Sequence, residues 1–220
     1  MATSSISPRL VRGGIVTLDP DTAALRSVIA LQYNPDSLSR TLQIQAVQGG
    51  QDGTRVDALR LRGPAVETIK VEAELDATDQ LEHPTQFPIT AQLGLHPQLA
   101  QLEMLVNPTV ETLMSDDSMA NSGTLEIIPL QQSLTLFVWS KMRVVPVRLT
   151  DFSITEEAFD RNLNPIRAKV SLGMRVLSID DLGFSHPGGR LYMSYLTNKE
   201  HLASMATSVA ISVLGLGGLP

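Results

Sequence analysis

At 220 residues the chain has the length of one domain, or of one domain with an appendage, and its 43% apolar and 18% charged residues suit a packed core rather than general disorder. A net charge of −6, a pI near 5.2 and only 4% aromatic residues argue against nucleic acid as a bulk partner. The absence of cysteine removes disulfides, thiolate metal sites and thiol catalysis together, which fits a reducing compartment.

The first residues hold no apolar run of signal-peptide length, and no run of about 18 apolar residues exists, so no membrane-spanning helix is expected. Residues 10–18 and 28–33 read as two strands joined across Asp19-Pro20-Asp21-Thr22. They lead into Asn34-Pro35-Asp36-Ser37, where every position carries turn chemistry. Residues 41–47 predict a strand with Leu42, Ile44 and Ala46 on one face, and the Gly-rich segment 48–57 reads as irregular. Residues 67–76 alternate clearly: Ile69, Val71, Ala73 and Leu75 oppose Thr68, Lys70, Glu72 and Glu74.

The pattern dissolves over 77–96, where Pro84 and Pro88 interrupt it. Residues 97–106 predict the one short packed helix, with Pro97 in its first turn, an apolar stripe of Leu99, Leu102, Leu105 and Val106, and Asn107-Pro108 ending it. Segment 109–132, with Ser115-Asp116-Asp117-Ser118, reads as an exposed acidic loop. A strand at 134–139 follows, then one at 143–159 whose apolar phase shifts from odd to even positions between Leu149 and Phe152. That shift predicts a β-bulge near Thr150 and Asp151.

After a turn through Leu163, Asn164 and Pro165, residues 166–177 form the strongest alternator of all. Ile166, Ala168, Val170, Leu172, Met174 and Val176 share one face; Arg167, Lys169, Ser171 and Arg175 share the other. At about 3.3 Å per residue this strand spans roughly 40 Å, about twice the usual length. A hairpin that long suggests a sheet that closes only when copies of the chain meet. Residues 184–189 read as a Gly/Pro linker and 190–209 as a helical tail. The expected division is therefore a β domain over 1–182, and a linker with a helical, apolar tail over 183–220. The tail carries no Lys or Arg after Lys199, which favours a hydrophobic docking segment or a frayed end over a membrane-surface helix.

No constellation points to catalysis, a cofactor or a metal. His83, His96, His186 and His201 are scattered without ligand spacing, and no HExxH, GxSxG, P-loop or dinucleotide fingerprint occurs. Glu156 and Glu157 are adjacent on a strand and point to opposite faces; Asp116 and Asp117 have no pocket to raise a pKa. Gly13-Gly14 and Gly49-Gly50 read as turn pairs. Arg167, Lys169 and Arg175 form a basic stripe, which is either an ordinary solvent face or one that meets an acidic neighbour or lines a water-filled channel.

The ordered set of these pieces resembles the tube-type domain of the tube-initiator or baseplate adaptor proteins of contractile injection systems, the phage-tail-like particles. The likeness is carried by residues 29–38 (IALQYNPDSL), 67–76 (ETIKVEAELD) with Ala77-Thr78-Asp79, the helix before Asn107-Pro108, 134–139 (LTLFVW) and 152–172 (FSITEEAFDRNLNPIRAKVSL), and it covers about 25–180. Tyr33-Asn34-Pro35, Trp139 and Leu163-Asn164-Pro165 match the family's pattern in order and rough spacing, although Ser140 stands where the family commonly has Gly.

The resemblance implies a tail-tube-like β-barrel or sandwich with a long hairpin, and a non-enzymatic, homo-oligomeric ring, six-fold in that family. Such a ring assembles in the cytoplasm and joins the inner tube to the spike protein within an injection particle, in contact with the sheath initiator or baseplate wedge. In such a ring Arg143, Arg167, Lys169 and Arg175 become candidates for the shared barrel or its lumen. Many members carry a peptidoglycan-binding LysM module; 190–220 is too short for one, so glycan binding is not carried over. The alternative is a small binding module that recognises a protein or glycan through its loops.

Overall fold

A computed structural model of the chain describes residues 11–46, 60–121, 132–206 and 213. The segment 48–57, the Gly49-Gly50 pair and most of the apolar C-terminal run lie outside the described residues. Seven strands form one antiparallel sheet: β1 (Gly14–Leu18), β2 (Leu25–Ala30), β3 (Leu38–Gln43), β4 (Val66–Asp76), β5 (Leu134–Ser140), β6 (Arg143–Phe159) and β7 (Pro165–Val176). Their spatial order is β2-β1-β5-β6-β7-β4-β3. The protein is thus mainly β, as expected, but the sheet is open, with β2 and β3 as its edges. Among the described residues one chain forms neither of the two expected forms, a barrel or a sandwich of two sheets, but one open sheet.

The alternation read from sequence is what builds the sheet. Ile69, Val71, Ala73 and Leu75 of β4 and Ala168, Val170, Leu172, Met174 and Val176 of β7 are all buried on one face. The register of β6 on β7 slips between Leu149 and Asp151, where the change of apolar phase predicts a bulge. Residues 31–37 link β2 at one edge to β3 at the other. Gln32, two residues past the end of β2, hydrogen-bonds the Asp76 backbone of β4, five places away in the strand order, so the sheet curls until its two ends approach each other.

Six helices occur among the described residues: α1 (Thr78–Leu81), α2 (Pro88–Leu93), α3 (His96–Glu103), α4 (Val110–Asn121), α5 (Ile179–Leu182) and α6 (Pro187–Ser204). Leu95, Leu99 and Leu102 from α3 and its N-cap, and Tyr192 and Tyr195 of α6, join the strand residues in a single hydrophobic cluster. Three expectations change here. The stretch 77–96 contains α1 and α2, each too short to show a helical period. Helix α4 takes the place of the first half of the expected acidic loop, whose residues 122–131 lie outside the described residues, so Asp116 and Asp117 are helical; it buries none of its apolar side chains, and Val110, Leu113 and Met114 are exposed. Gly13 and Gly14 do not make a turn. Gly13 lies under Trp139, where an added Cβ would sit 2.7 Å from the indole, and Gly14 opens β1 against the Ile29 carbonyl.

Candidate functional site

The turn residues singled out in the sequence act as tertiary fasteners. Gln32 lays its side-chain amide along the end of β4: Nε2 donates to the Asp76 carbonyl at 2.6 Å and Oε1 accepts from the Asp76 N–H at 2.9 Å. Two residues on, the Asn34 amide accepts from the Gly13 N–H (3.0 Å) and donates to the Val11 carbonyl (2.9 Å). The Tyr33-Asn34-Pro35 segment is thereby stitched, through Gln32, to the end of β4 and, through Asn34, to the residues just before β1 with backbone-like pairing. It stands over the polar face of β4, β7 and β6, leaving a cleft of about 720 Å³.

The β6–β7 turn is fixed in a similar way. Asp160 accepts from the Asn162 and Asn164 N–H groups, and Asn164 Nδ2 reaches Asp160 and the Gln92 carbonyl of α2. The bonds from Asn164 and Asn162 hold the Asp160 carboxyl below the usual carboxylate range. Leu163 is held at φ +65° and stays 77% exposed at the tip. Gly94, at φ +56°, lets the α2–α3 connection pass so close that a Cβ there would sit 2.4 Å from the Pro165 carbonyl. Trp139 stacks on Phe137 with ring centroids 5.7 Å apart.

The basic stripe of β7 is neutralised from within the chain. Arg167 pairs with Asp76 at 3.0 Å, Lys169 with Glu157 at 3.1 Å and Arg175 with Asp181 at 2.8 Å. Glu157 thus belongs to the stripe, while Glu156 faces the other way, opposite Ala168, and makes no ion pair among the described residues. Arg143 also has no ion pair among the described residues, and it lies apart from the stripe, on the core-side face with Val145.

Sequence reading missed a second charged cluster. Glu67 is buried on the apolar face of β4 and is held by Arg40 of β3 (Nε at 2.6 Å), Lys199 (Nζ at 2.9 Å) and the Tyr195 hydroxyl (3.1 Å), both of α6. Arg40 also donates to the Tyr195 hydroxyl at 3.0 Å, and the Lys199 ammonium sits 4.1 Å over the Tyr195 ring. Burial pushes the Glu67 carboxyl up, but hydrogen bonds from Arg40 and Lys199 and their charges outweigh it, so the group lies below its ordinary value. The signal was present in the sequence: Glu67 shares the odd phase of Ile69, Val71, Ala73 and Leu75, so an acid was already on the buried face. Beside this junction opens a pocket of about 300 Å³ lined by Arg40, Trp139, Ser140, Met142, Arg143, Tyr195, Lys199 and Leu202.

The backbone edges complete the site. Among the described residues strand β5 covers β6 only as far as Val147, the rest of β6 has no partner strand on that side, and the outer edge of β3 is likewise free.

The four histidines are not brought together. His186 caps α6, its Nδ1 accepting from the Gly188 N–H at 3.0 Å. Among the described residues no group of three or more His, Asp or Glu side chains is placed to hold a metal, and no helix is long and apolar enough to cross a membrane. No protein-family model matches the chain, and no curated protein matches it.

Proposed function

We propose that the chain is a non-enzymatic structural protein whose copies join edge to edge into a ring, serving as the baseplate component that connects inner tube to spike in a contractile injection particle. The observation that carries the assembly reading is the four-stranded section β6–β7–β4–β3, which among the described residues ends in a free edge on each side, β3 on one and β6 beyond Val147 on the other. Its strands alternate in direction, so β3 runs opposite to β6. Copies related by rotation about a common axis keep one orientation, and β3 of one copy therefore meets β6 of the next as an antiparallel pair. Repeating that head-to-tail contact closes a ring and pairs backbone groups that a single chain leaves open. Apolar side chains favour the same contact: Leu42 and Ile44 on or beside the β3 edge are 50% and 72% exposed. The placement between tube and spike rests on the family resemblance.

Multi-angle light scattering of the purified chain, together with imaging of particles assembled with and without it, tests this reading. The expected result is a closed multiple of the 23.8 kDa protomer, six-fold if the resemblance holds, and tube left unjoined to spike when the chain is absent. A monomer at every concentration, with particles that assemble normally without it, would overturn the proposal and favour a loop-borne binding module using the 720 Å³ cleft beneath Tyr33.

A further inference from the structure

We infer that the cationic pocket between α6 and β3 is completed by Glu156 of a second copy, which fixes the residue-level register of the joint; the inference rests on the ring reading above. Two observations converge on it.

The first is side-chain phase. On β3, Leu38, Arg40 and Leu42 share the core-side face, opposite Val71, Ile69 and Glu67, while Ser39, Thr41 and Gln43 face the other way. On the uncovered part of β6, Phe152, Ile154 and Glu156 share the core-side face, opposite Leu172, Val170 and Ala168, while Ser153, Thr155 and Glu157 face away. In an antiparallel pair a slip of one residue exchanges the faces. A slip of two sets Arg40 against Ile154 or Leu42 against Glu156. One register satisfies both faces: Ile44 against Phe152, Leu42 against Ile154 and Arg40 against Glu156, with Thr41 against Thr155 on the polar side.

The second is charge. Arg40, Lys199 and Arg143 surround a junction whose carboxylate, Glu67, is already bound by Arg40 and Lys199. Arg143 and Glu156 are each without an ion pair among the described residues. An incoming Glu156 carboxylate would meet Arg40 and Arg143 at the mouth of a pocket of about 300 Å³, whose partly apolar lining strengthens the attraction. The joint thus takes one acid from each copy into the neighbour's excess of cations.

The natural chain has no cysteine, so a double variant Thr41→Cys, Thr155→Cys is a clean probe. Within one chain Thr41 is level, through Thr68, with Arg175 of β7, whereas Thr155 is level with Lys169, six residues and about 20 Å away along the strand, so the two positions lie beyond disulfide reach. Any disulfide must therefore join two copies. Mild oxidation should give a ladder of covalent multimers, whereas Thr41→Cys with Ser153→Cys should cross-link at least tenfold more slowly. In light scattering, Glu156→Arg and Arg143→Glu should each raise the concentration for half-assembly at least tenfold, and the two together should restore it to within about threefold. Neither side chain has an ion-pair partner among the described residues of the protomer, so circular dichroism should stay native. Rings that form normally in both single variants, or that cross-link equally well in both registers, overturn the inference and leave the ring reading standing. A monomer at every concentration, with particles that assemble normally without the chain, overturns both.

Discussion

The cations on the polar face of β7 and those at the α6–β3 junction are equal in number and opposite in circumstance. Arg167, Lys169 and Arg175 lie on an exposed face and each has its own acid within the chain, Asp76, Glu157 and Asp181. Such pairs are worth little, because water screens them and their side chains lose freedom on pairing. Arg40 and Lys199 hold a single buried carboxylate, Glu67, and Arg143 lines the pocket beside them. There the carboxylate itself is buried while the cations stay partly exposed, an unbalanced charge is costly, and whatever supplies the next acid gains specificity from doing so. A visible stripe of charge is therefore the less consequential of the two, and the cations split among three separate elements matter more.

Breaking the junction should give the largest effect. Glu67→Ala leaves Arg40, Lys199 and the Tyr195 hydroxyl without their shared acceptor and should lower unfolding stability by about 2–4 kcal/mol, read from urea melts. A loss below about 1 kcal/mol would show that the junction does not hold α6 to the sheet. Acid should reach the same loss gradually. The folded Glu67 pKa lies below the ordinary value of 4.5. Its contribution is therefore complete above that value and disappears as pH falls through the folded pKa. Trp139 lines the adjoining pocket and is the chain's single tryptophan. Its fluorescence should stay constant from pH 8 to about 5 and change only below about 4.5; a transition near pH 6–7 would point to a histidine instead.

At the hairpin tip, Asn164→Ala removes the bonds to Gln92 and Asp160 and should cost about 1–2 kcal/mol, with faster backbone exchange confined to the β6–β7 turn. The smallest effect belongs to the stripe. Arg167→Ala or Lys169→Ala should change stability by about 0–1 kcal/mol and leave the assembly state unaltered. A loss of assembly in either variant would restore the stripe as a contact face and reverse the comparison.

The strands could be read in the sequence because their signal is local. The odd phase of 67–75 and the even phase of 166–176 each follow from a period of two, and the bulge between Leu149 and Asp151 follows from a break in that phase. Other elements were illegible for equally physical reasons. Helices α1 and α2 end before a helical period can show, and α4 buries no apolar stripe to match against a core. The roles of Gln32 and Asn34 were also hidden, since a side-chain amide that stands in for a strand looks like any turn residue until its partner strand is in place.

The sequence by itself settled the alternation, the long hairpin and the turn chemistry, all of which depend on neighbours a few residues apart. Only the tertiary structure decided that the sheet stays open, that Glu67 and not the β7 stripe organises the buried charge, and that Arg143 and Glu156 have no ion pair among the described residues. Those outcomes join residues as far apart as Glu67 and Tyr195, 128 positions, or Arg40 and Tyr195, 155 positions. No local pattern carries information across such a distance. It appears only when the curled sheet and α6 bring the groups into one low-dielectric space.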